Sequence, residues 1–397
     1  MNNEKITLSP ELANELKKLI KELTIIMNNH NVKTAYDKAI KNVTHTVYYN
    51  NEYVDNPWIG KSIEYFINYF EHWFTFLPIP NKGLGKIEPF TFFYLENELA
   101  FNFLNKLESR SGDNTKSTKE IFNWTVKFIK ARGRFMDSSS SKVYIDKWLV
   151  DPSSHMNQFI TPEGGFKSFN EFFTRKLNMN VDPRPIAEVD VDSIAVAPAD
   201  SELNFIESDL TLRTPLRVKT RYINVKELLA DSEYAKHFVG GNAISCVLMP
   251  NSYHHYHAPV TGEIIESKEI PGIYNGIIDG EDWFNHGNIG ESTTDFSIFE
   301  DFHRSYFIYK TKKHGYVAQI PVGLNTISAL FASMVNHHST MVPVGSPPVS
   351  IRKGDELGHF AYGGSLNILL FEKGVFSSLS VLMGQRIGSL GTPLNKK

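Results

Sequence analysis

The chain has 397 residues, of which 41% are hydrophobic and 21% are charged, an ordinary balance for a globular protein. Its formal net charge of -3 argues against the basic footprint of a nucleic-acid-binding protein. The single cysteine, Cys246, excludes an internal disulfide framework and a zinc site built from several cysteines. The length predicts about two domains.

The sequence shows no segment that resembles a signal peptide or a membrane-spanning helix. No apolar h-region follows the polar N-terminal residues, and no run approaches about 18 apolar residues. We therefore expect a cytoplasmic protein. If it contacts a membrane, we expect that contact to be peripheral.

Helical patterns dominate the first part of the chain. Ser9 and Pro10 have the residue types of a helix N-cap and first helical position. Apolar residues then recur at helical spacing, at Leu12, Leu16, Leu19, Ile20, Leu23 and Ile26. An aromatic-rich helix is predicted over 58–76 and a third over 121–129. These stripes indicate a helical accessory domain over 1–145, and a lipid-facing or substrate-facing surface is the alternative to a packed core.

A serine run at 138–141 is typical of a linker, and the pattern changes beyond it. Ser168 and Glu171 have the spacing of a capping box and predict a short helix that ends near Leu177. Short β-like segments then follow at 194–197, 244–249, 262–270, 306–310, 316–321 and 367–371, with a helical pattern at 225–229. We predict an α+β protein whose residues 146–397 form a β-rich domain of the sandwich or barrel type.

Three histidines, His254, His255 and His257, fall within four residues. Histidine is the side chain best suited to exchange protons near neutral pH. In an extended strand His255 and His257 share one face and His254 takes the other, whereas a turn would bring His254 and His257 together. No clear set of further ligands lies nearby, so we predict no metal site.

Other polar segments have simpler explanations when each is taken alone. Asp200, in Ala-Pro-Ala-Asp-Ser, is of a type that often forms turns. The glycines of 354–358 predict a plain hairpin, and Gly363 and Gly364 predict a turn that opens a strand at Ser365.

Taken together, these segments resemble the phosphatidylserine decarboxylase family, whose hallmarks occur here in the same order. They lie at 169–177, 182–186, 197–200, 253–259, 353–358 and 364–372. The resemblance runs from Asp151 to the C-terminus. The N-terminal helical region looks like the accessory domain of relatives without a membrane anchor, some of which decarboxylate free aromatic amino acids.

The resemblance implies a proenzyme that cleaves itself between Gly364 and Ser365 and converts Ser365 into a pyruvoyl group. Residues 365–397 would then remain associated with the rest of the chain as a small subunit. Asp200 and His257 would activate the Ser365 hydroxyl, and His254 would return a proton during turnover. The substrate amine would condense with the pyruvoyl carbonyl before CO₂ leaves. His255 would be an outward-facing residue or a modulator.

The family default implies decarboxylation of phosphatidylserine to phosphatidylethanolamine in phospholipid biosynthesis. A free amino acid such as tryptophan is the alternative substrate, and nucleic acid is not a partner. Two further alternatives are a binding homologue that does not cleave and a histidine-based metalloenzyme. Leu366 stands where the family usually has Thr or Ser, and Gly363 matches only part of the family, so the rate of self-cleavage is open at this point.

Overall fold

The computed structural model describes residues 6–43, 46–49, 52–80, 89–94, 97, 99–100, 116–212, 214–215, 222–223, 225–272, 302–324, 330–332, 334–335 and 338–384. Its α-helices are α1 (Pro10–Met27), α2 (His30–Lys41), α3 (Ile63–Phe74), α4 (Lys116–Asp137), α5 (Ile145–Leu149), α6 (Phe169–Phe173) and α7 (Val225–Leu228). Within these residues, no helix combines the length and the apolar character that crossing a bilayer requires.

The strands are β1 (Thr46–Tyr49), β2 (Glu52–Asp55), β3 (Glu202–Ser208), β4 (Thr214–Pro215), β5 (Tyr222–Ile223), β6 (Asn242–Leu248), β7 (His255–His257), β8 (Gly262–Ile270), β9 (Arg304–Lys310), β10 (Tyr316–Leu324), β11 (Leu330–Ala332), β12 (Met334–Val335), β13 (His338–Ser339), β14 (Val349–Ile351), β15 (Glu356–Phe360) and β16 (Gly364–Phe371). Helices therefore precede a β-rich region, and the predicted α+β class is confirmed.

The first helix forms as its sequence predicts. The Ser9 side chain accepts a hydrogen bond from the Leu12 amide, and Pro10 begins α1. The predicted apolar face is buried at Leu12, Leu16, Leu19, Leu23 and Ile26, while Ile20 is half-buried. The aromatic helix is shorter than predicted: Ser62 caps it, α3 begins at Ile63, and the buried Trp58 lies before it. The third predicted helix lies inside α4.

The serine run is not a linker. Residues Ser139–Tyr144 form a 3₁₀ helix, and Ser141 is fully buried. The Ser141 hydroxyl donates to the Met136 carbonyl at 2.8 Å and accepts from the Phe169 amide at 2.8 Å. These bonds tie the end of α4 to α6. They also satisfy the hydroxyl, which would cost free energy if it were buried without partners.

The helical core continues past the predicted domain boundary. Ser168 caps α6 as the capping-box pattern predicts, although the helix ends at Phe173 rather than near Leu177. The aromatic side chains of α6 and the ring of Tyr362 join the core that α1 to α4 build. The helical layer thus packs directly against the segment that leads into β16. The boundary between 145 and 146 stays a prediction.

Two antiparallel sheets enclose the second core. A seven-stranded sheet has the order β14-β8-β9-β10-β16-β6-β3, and a three-stranded sheet has the order β11-β15-β7. Apolar residues of both sheets meet in one cluster, for example Leu369 from β16 and Tyr256 from β7. The other face of the large sheet is covered by α7 and the 3₁₀ helix Glu233–Phe238. This is the layered arrangement of a sandwich.

Most predicted strands are confirmed with bounds that differ slightly, but two expectations are wrong. Residues 194–197 form no strand, although Val196 donates a backbone hydrogen bond to Pro259. The segment 354–358 is not a plain hairpin, since β14 pairs with β8 whereas β15 pairs with β7 and β11. The turn at Gly354 therefore carries the chain from one sheet to the other.

Strand β16 is central, because it pairs with β10 on one side and β6 on the other. Ser365 lies opposite Gly323 and Leu248 in this register. Side chains alternate along a strand, so Ser365 and Leu366 face opposite sides of the sheet. Leu366 is fully buried in the core beneath α7. A polar group at position 366 would consequently point away from the face that carries Ser365.

We expect Leu366→Thr to destabilise the fold without speeding self-cleavage. A hydroxyl buried in an apolar core costs about 1–3 kcal/mol when it lacks a partner. The matched control is Leu366→Val, because Val has the shape of Thr without the hydroxyl. Urea denaturation, in a Ser365→Ala background that keeps the chain uncut, should give the Thr variant the lower free energy of unfolding by that amount. Equal stability of the two variants, or faster cleavage of Leu366→Thr than Leu366→Val in the native-serine background, would contradict this account.

Candidate active site

Ser365 and His254 meet inside the β-rich core. The Ser365 side chain is 1% exposed, His254 is fully buried, and Nδ1 of His254 lies 3.1 Å from Oγ of Ser365. The second ring nitrogen, Nε2, lies 3.1 Å from the Met249 carbonyl oxygen. A carbonyl oxygen only accepts, so Nε2 carries the proton and Nδ1 presents its lone pair to the Ser365 hydroxyl. This tautomer makes His254 a base for Ser365.

The surroundings of His254 favour its neutral form. The ring of Phe173 stacks on the imidazole, with centroids 3.7 Å apart and planes inclined by 21°. Burial lowers the pKa of His254 well below its usual value, and the positive charge of Arg175 lowers it further. A neutral imidazole is the form that can accept the hydroxyl proton, so the site has its base ready.

His257 does not contact Ser365. Its Nδ1 donates to the Gly354 carbonyl at 2.7 Å, and its Nε2 lies 3.1 Å from the hydroxyl of Tyr253. Burial lowers the pKa of His257 as well. The reason is the alternation of β7: His254 lies on the same face as the core residue Tyr256, whereas His257 lies on the other face. Of the two arrangements that the sequence left open, the extended one is therefore confirmed, with His254 on one face and His255 and His257 on the other.

Asp200 forms an ion pair instead of a dyad with His257. Its two carboxylate oxygens accept from Nε and Nη2 of Arg184, both at 2.6 Å. Arg184 also donates to Oε1 of Gln158 at 2.8 Å, and the bond to Asp200 raises the pKa of Arg184. The segment before Asp200 lies beside β7, since the His257 amide donates to the Pro198 carbonyl at 2.8 Å. Asp200 and His257 are brought near each other, but the contact with Ser365 belongs to His254.

The α6 segment supplies side chains that sequence reasoning did not assign to the site. The buried guanidinium of Arg175 lies 4.2 Å from the ring centroid of Phe159 and donates to the Asn251 carbonyl at 2.6 Å. Burial lowers the pKa of Arg175 to about 10. Phe173 and Arg175 both lie in the segment 169–177, which the resemblance had singled out as a motif without a role.

Asn170 connects the helical layer to the cleavage segment. Its Oδ1 accepts from the Tyr362 amide at 3.0 Å, and its Nδ2 donates to Asp137 at 2.8 Å. The ring of Tyr362 lies 5.2 Å from the guanidinium carbon of Arg132, and Arg132 in turn donates to the Trp73 carbonyl at 3.1 Å. The chain just before Gly364 is thus held by α3, α4 and α6.

His255 is not an outward-facing residue. It is 4% exposed, and its Nε2 donates to the Thr174 carbonyl at 3.0 Å. Its Nδ1 lies 3.0 Å from Oε1 of Glu356. Since His255 shares the face of His257 rather than that of His254, it does not approach the Ser365 hydroxyl.

In this site a buried serine hydroxyl forms a hydrogen bond with a neutral imidazole. This arrangement belongs to the class of sites in which a histidine activates a serine oxygen to attack a carbonyl. Comparison with known proteins specifies the family. The family model described as phosphatidylserine decarboxylase matches residues 169–389. The phosphatidylserine decarboxylase proenzyme of Clostridium novyi is 29% identical over 275 residues, which cover 66% of this chain and 84% of that protein.

Two further relatives carry the same name. The proenzyme of Clostridium perfringens strain ATCC 13124 is 30% identical over 262 residues, 65% of this chain and 79% of the relative. Phosphatidylserine decarboxylase proenzyme 3 of Schizosaccharomyces pombe is 31% identical over 295 residues, 71% of this chain and 28% of the relative. The chain belongs to the phosphatidylserine decarboxylase family and is a carboxy-lyase.

The contact between His254 and Ser365 generates a prediction about the two histidines. His254→Gln keeps a neutral side chain but removes the base, so cleavage at Gly364-Ser365 should slow at least about 100-fold. His257→Gln should slow it far less, because its contacts are with Gly354 and Tyr253. The conversion of freshly synthesised full-length chain into two fragments, followed on denaturing gels, measures both rates. Normal cleavage by His254→Gln together with arrest of His257→Gln would restore the assignment that the family pattern implies.

Proposed function

We propose that this chain is a proenzyme that cleaves itself at Gly364-Ser365 and then decarboxylates the serine headgroup of a phospholipid. The observation that carries the proposal is the 3.1 Å contact between the Ser365 hydroxyl and Nδ1 of the buried His254. A buried serine with a base beside it, at the N-terminal end of a strand, is poised to act on its own preceding carbonyl.

The maturation step balances with the groups of this chain and one water molecule. His254 accepts the hydroxyl proton while Ser365 Oγ attacks the Gly364 carbonyl carbon. His254 passes this proton to the Ser365 nitrogen as the Gly364–Ser365 C–N bond breaks, which leaves an ester and a free amine on Ser365. His254, neutral again, removes the Ser365 Cα proton, the Gly364 carboxylate leaves from Cβ, and a dehydroalanine remains; His254 returns the proton to Cβ as the imine tautomer forms. Water hydrolyses its imine tautomer, ammonia leaves, and a pyruvoyl group begins the fragment 365–397.

The site fits the group that this step would produce. When formed, the pyruvoyl carbonyl supplies the electron sink that loss of CO₂ from an amino acid requires. His254 would remain beside it and would hold the proton that replaces the departing carboxylate. Phe173 stacks on His254, and the full burial of His254 keeps bulk water from its ring. We propose Asp200 and His257 as positioning residues, which fix the segments beside β7 through Arg184, Tyr253 and Gly354.

The position of β16 supports a matured protein of two associated pieces. The fragment 365–397 would keep the ladders to β10 and β6, and it would keep Leu366 and Leu370 in the core beneath α7. The two pieces would separate only when the sheet itself unfolds.

The substrate proposal rests on the relatives, each of which is named a phosphatidylserine decarboxylase proenzyme. We therefore propose phosphatidylserine as the substrate and phosphatidylethanolamine as the product. A free amino acid such as tryptophan is the alternative, and an uncut binding protein is a third outcome of the tests below.

Intact-mass spectrometry of the purified protein tests self-cleavage directly. The wild-type chain should give the fragments 1–364 and 365–397, and the smaller should be lighter by one ammonia than a fragment that begins with serine. Ser365→Ala should stay as one chain, because the attacking oxygen is gone. The matched control is Ser245→Ala, a buried serine on the neighbouring strand β6, which should cleave normally. A single uncut wild-type chain, or cleavage of Ser365→Ala, would refute the proposal.

A carboxyl-labelled substrate assay tests the reaction. Release of labelled CO₂ is expected from phosphatidylserine vesicles and not from free serine or tryptophan, with Ser365→Ala as the inactive control. Release from tryptophan alone would assign the site to a free amino acid. Cleaved protein that releases CO₂ from none of these would contradict the substrate proposal while leaving the maturation step intact.

A further inference from the structure

His255 has an unusual environment on the face of β7 that points away from Ser365. It is 4% exposed, and its Nε2 donates to the Thr174 carbonyl at 3.0 Å. That bond assigns a proton to Nε2 and leaves Nδ1 with its lone pair in the neutral ring. Nδ1 has no aligned hydrogen bond, although Oε1 of Glu356 lies only 3.0 Å away. Two acceptors this close repel each other unless a proton or a metal ion lies between them.

His359 completes a group of three around this point. One ligand atom each of His255, Glu356 and His359 can be chosen so that all lie within 4.8 Å of one another. The register explains how they meet, since His359 lies directly opposite His255 in the β7–β15 pair. Glu356 is three residues before His359 and would face the other way in a regular strand. The irregularity between Glu356 and Gly358 turns it to the same side.

We propose that His255, Glu356 and His359 form a binding site for a divalent transition-metal ion of the Zn²⁺ class. Two imidazoles and one carboxylate are a donor set that suits zinc, with a further position left for water. Zinc–nitrogen bonds of about 2.0–2.1 Å place neighbouring ligand atoms about 3 Å apart, as Nδ1 of His255 and Oε1 of Glu356 already are. The Glu356 side chain is 40% exposed, so an ion can reach the group from solvent.

The second contact of His255 strengthens the assignment. Metal-binding histidines commonly donate their other ring N–H to a carbonyl or carboxylate, which fixes the tautomer and the ring orientation. The bond from Nε2 of His255 to Thr174 is such a contact. The ring of Tyr253 also stacks on His255 at 4.7 Å with planes inclined by 7°, so the imidazole has little freedom to turn.

The site is distinct from the Ser365 centre but is mechanically linked to it. The adjacent residues His254 and His255 point to opposite faces of β7, so the ion would not contact the Ser365 hydroxyl. It would instead hold β7 to β15. Through the bond from His255 to the Thr174 carbonyl, it would also hold the chain directly after Phe173. We therefore expect the ion to stabilise the fold rather than to take part in the decarboxylation.

Zinc titration of the chelator-treated, full-length protein tests the site. Isothermal titration with zinc chloride should show one ion per chain, and zinc should raise the midpoint of thermal unfolding because it binds the folded state. Glu356→Gln and His359→Ala should each weaken binding at least about tenfold, since loss of even an outer-shell partner costs about 10–100-fold in affinity. Both side chains are partly exposed, so these substitutions are compatible with folding.

The matched control is Glu269→Gln. Glu269 pairs with the buried His303 at 3.1 Å and is 53% exposed, so it is a similar histidine–carboxylate pair at another place. This variant should bind zinc as the wild type does. The proposal is refuted when the wild-type chain binds no stoichiometric zinc. It is also refuted when Glu356→Gln and His359→Ala bind as tightly as Glu269→Gln.

Discussion

The hydrogen bond between Ser365 and His254 is the constraint on which the rest of the site depends. It requires a serine at the start of a central strand and a histidine just before β7 to share one buried space between two sheets. Burial keeps the imidazole neutral, and the Met249 carbonyl fixes which nitrogen carries the proton. The same burial keeps the Ser365 hydroxyl away from bulk solvent.

The helical region contributes to this centre and is more than a separate appendage. Phe173 from α6 stacks on His254, and Asn170 of the same helix binds the Tyr362 amide three residues before Ser365. Arg132 of α4 lies over the Tyr362 ring. A displacement of the helical layer would thus move both the base and the peptide on which Ser365 acts. The helical layer therefore helps to position the reacting groups.

Alternation along two strands separates groups that are adjacent in sequence. On β16, Ser365 faces the interior of the sandwich while Leu366 fills the core on the opposite side. Along the segment 254–257, which ends in β7, His254 faces Ser365, whereas His255 and His257 face Glu356, Tyr253 and the Gly354 turn. One short histidine-rich segment can therefore serve a reaction centre on one face and the proposed metal site on the other.

The sequence by itself determined most of the helices and strands, and the family. Helical periodicity located α1, the Ser168 cap located α6, and the order of short motifs indicated the decarboxylase family, because these signals depend on local spacing. Tertiary structure decided which histidine meets Ser365, that Asp200 pairs with Arg184, and that the serine run is buried. These contacts join residues far apart in sequence, such as His254 and Ser365. Local patterns carry no information about which faces of two distant strands will be packed together.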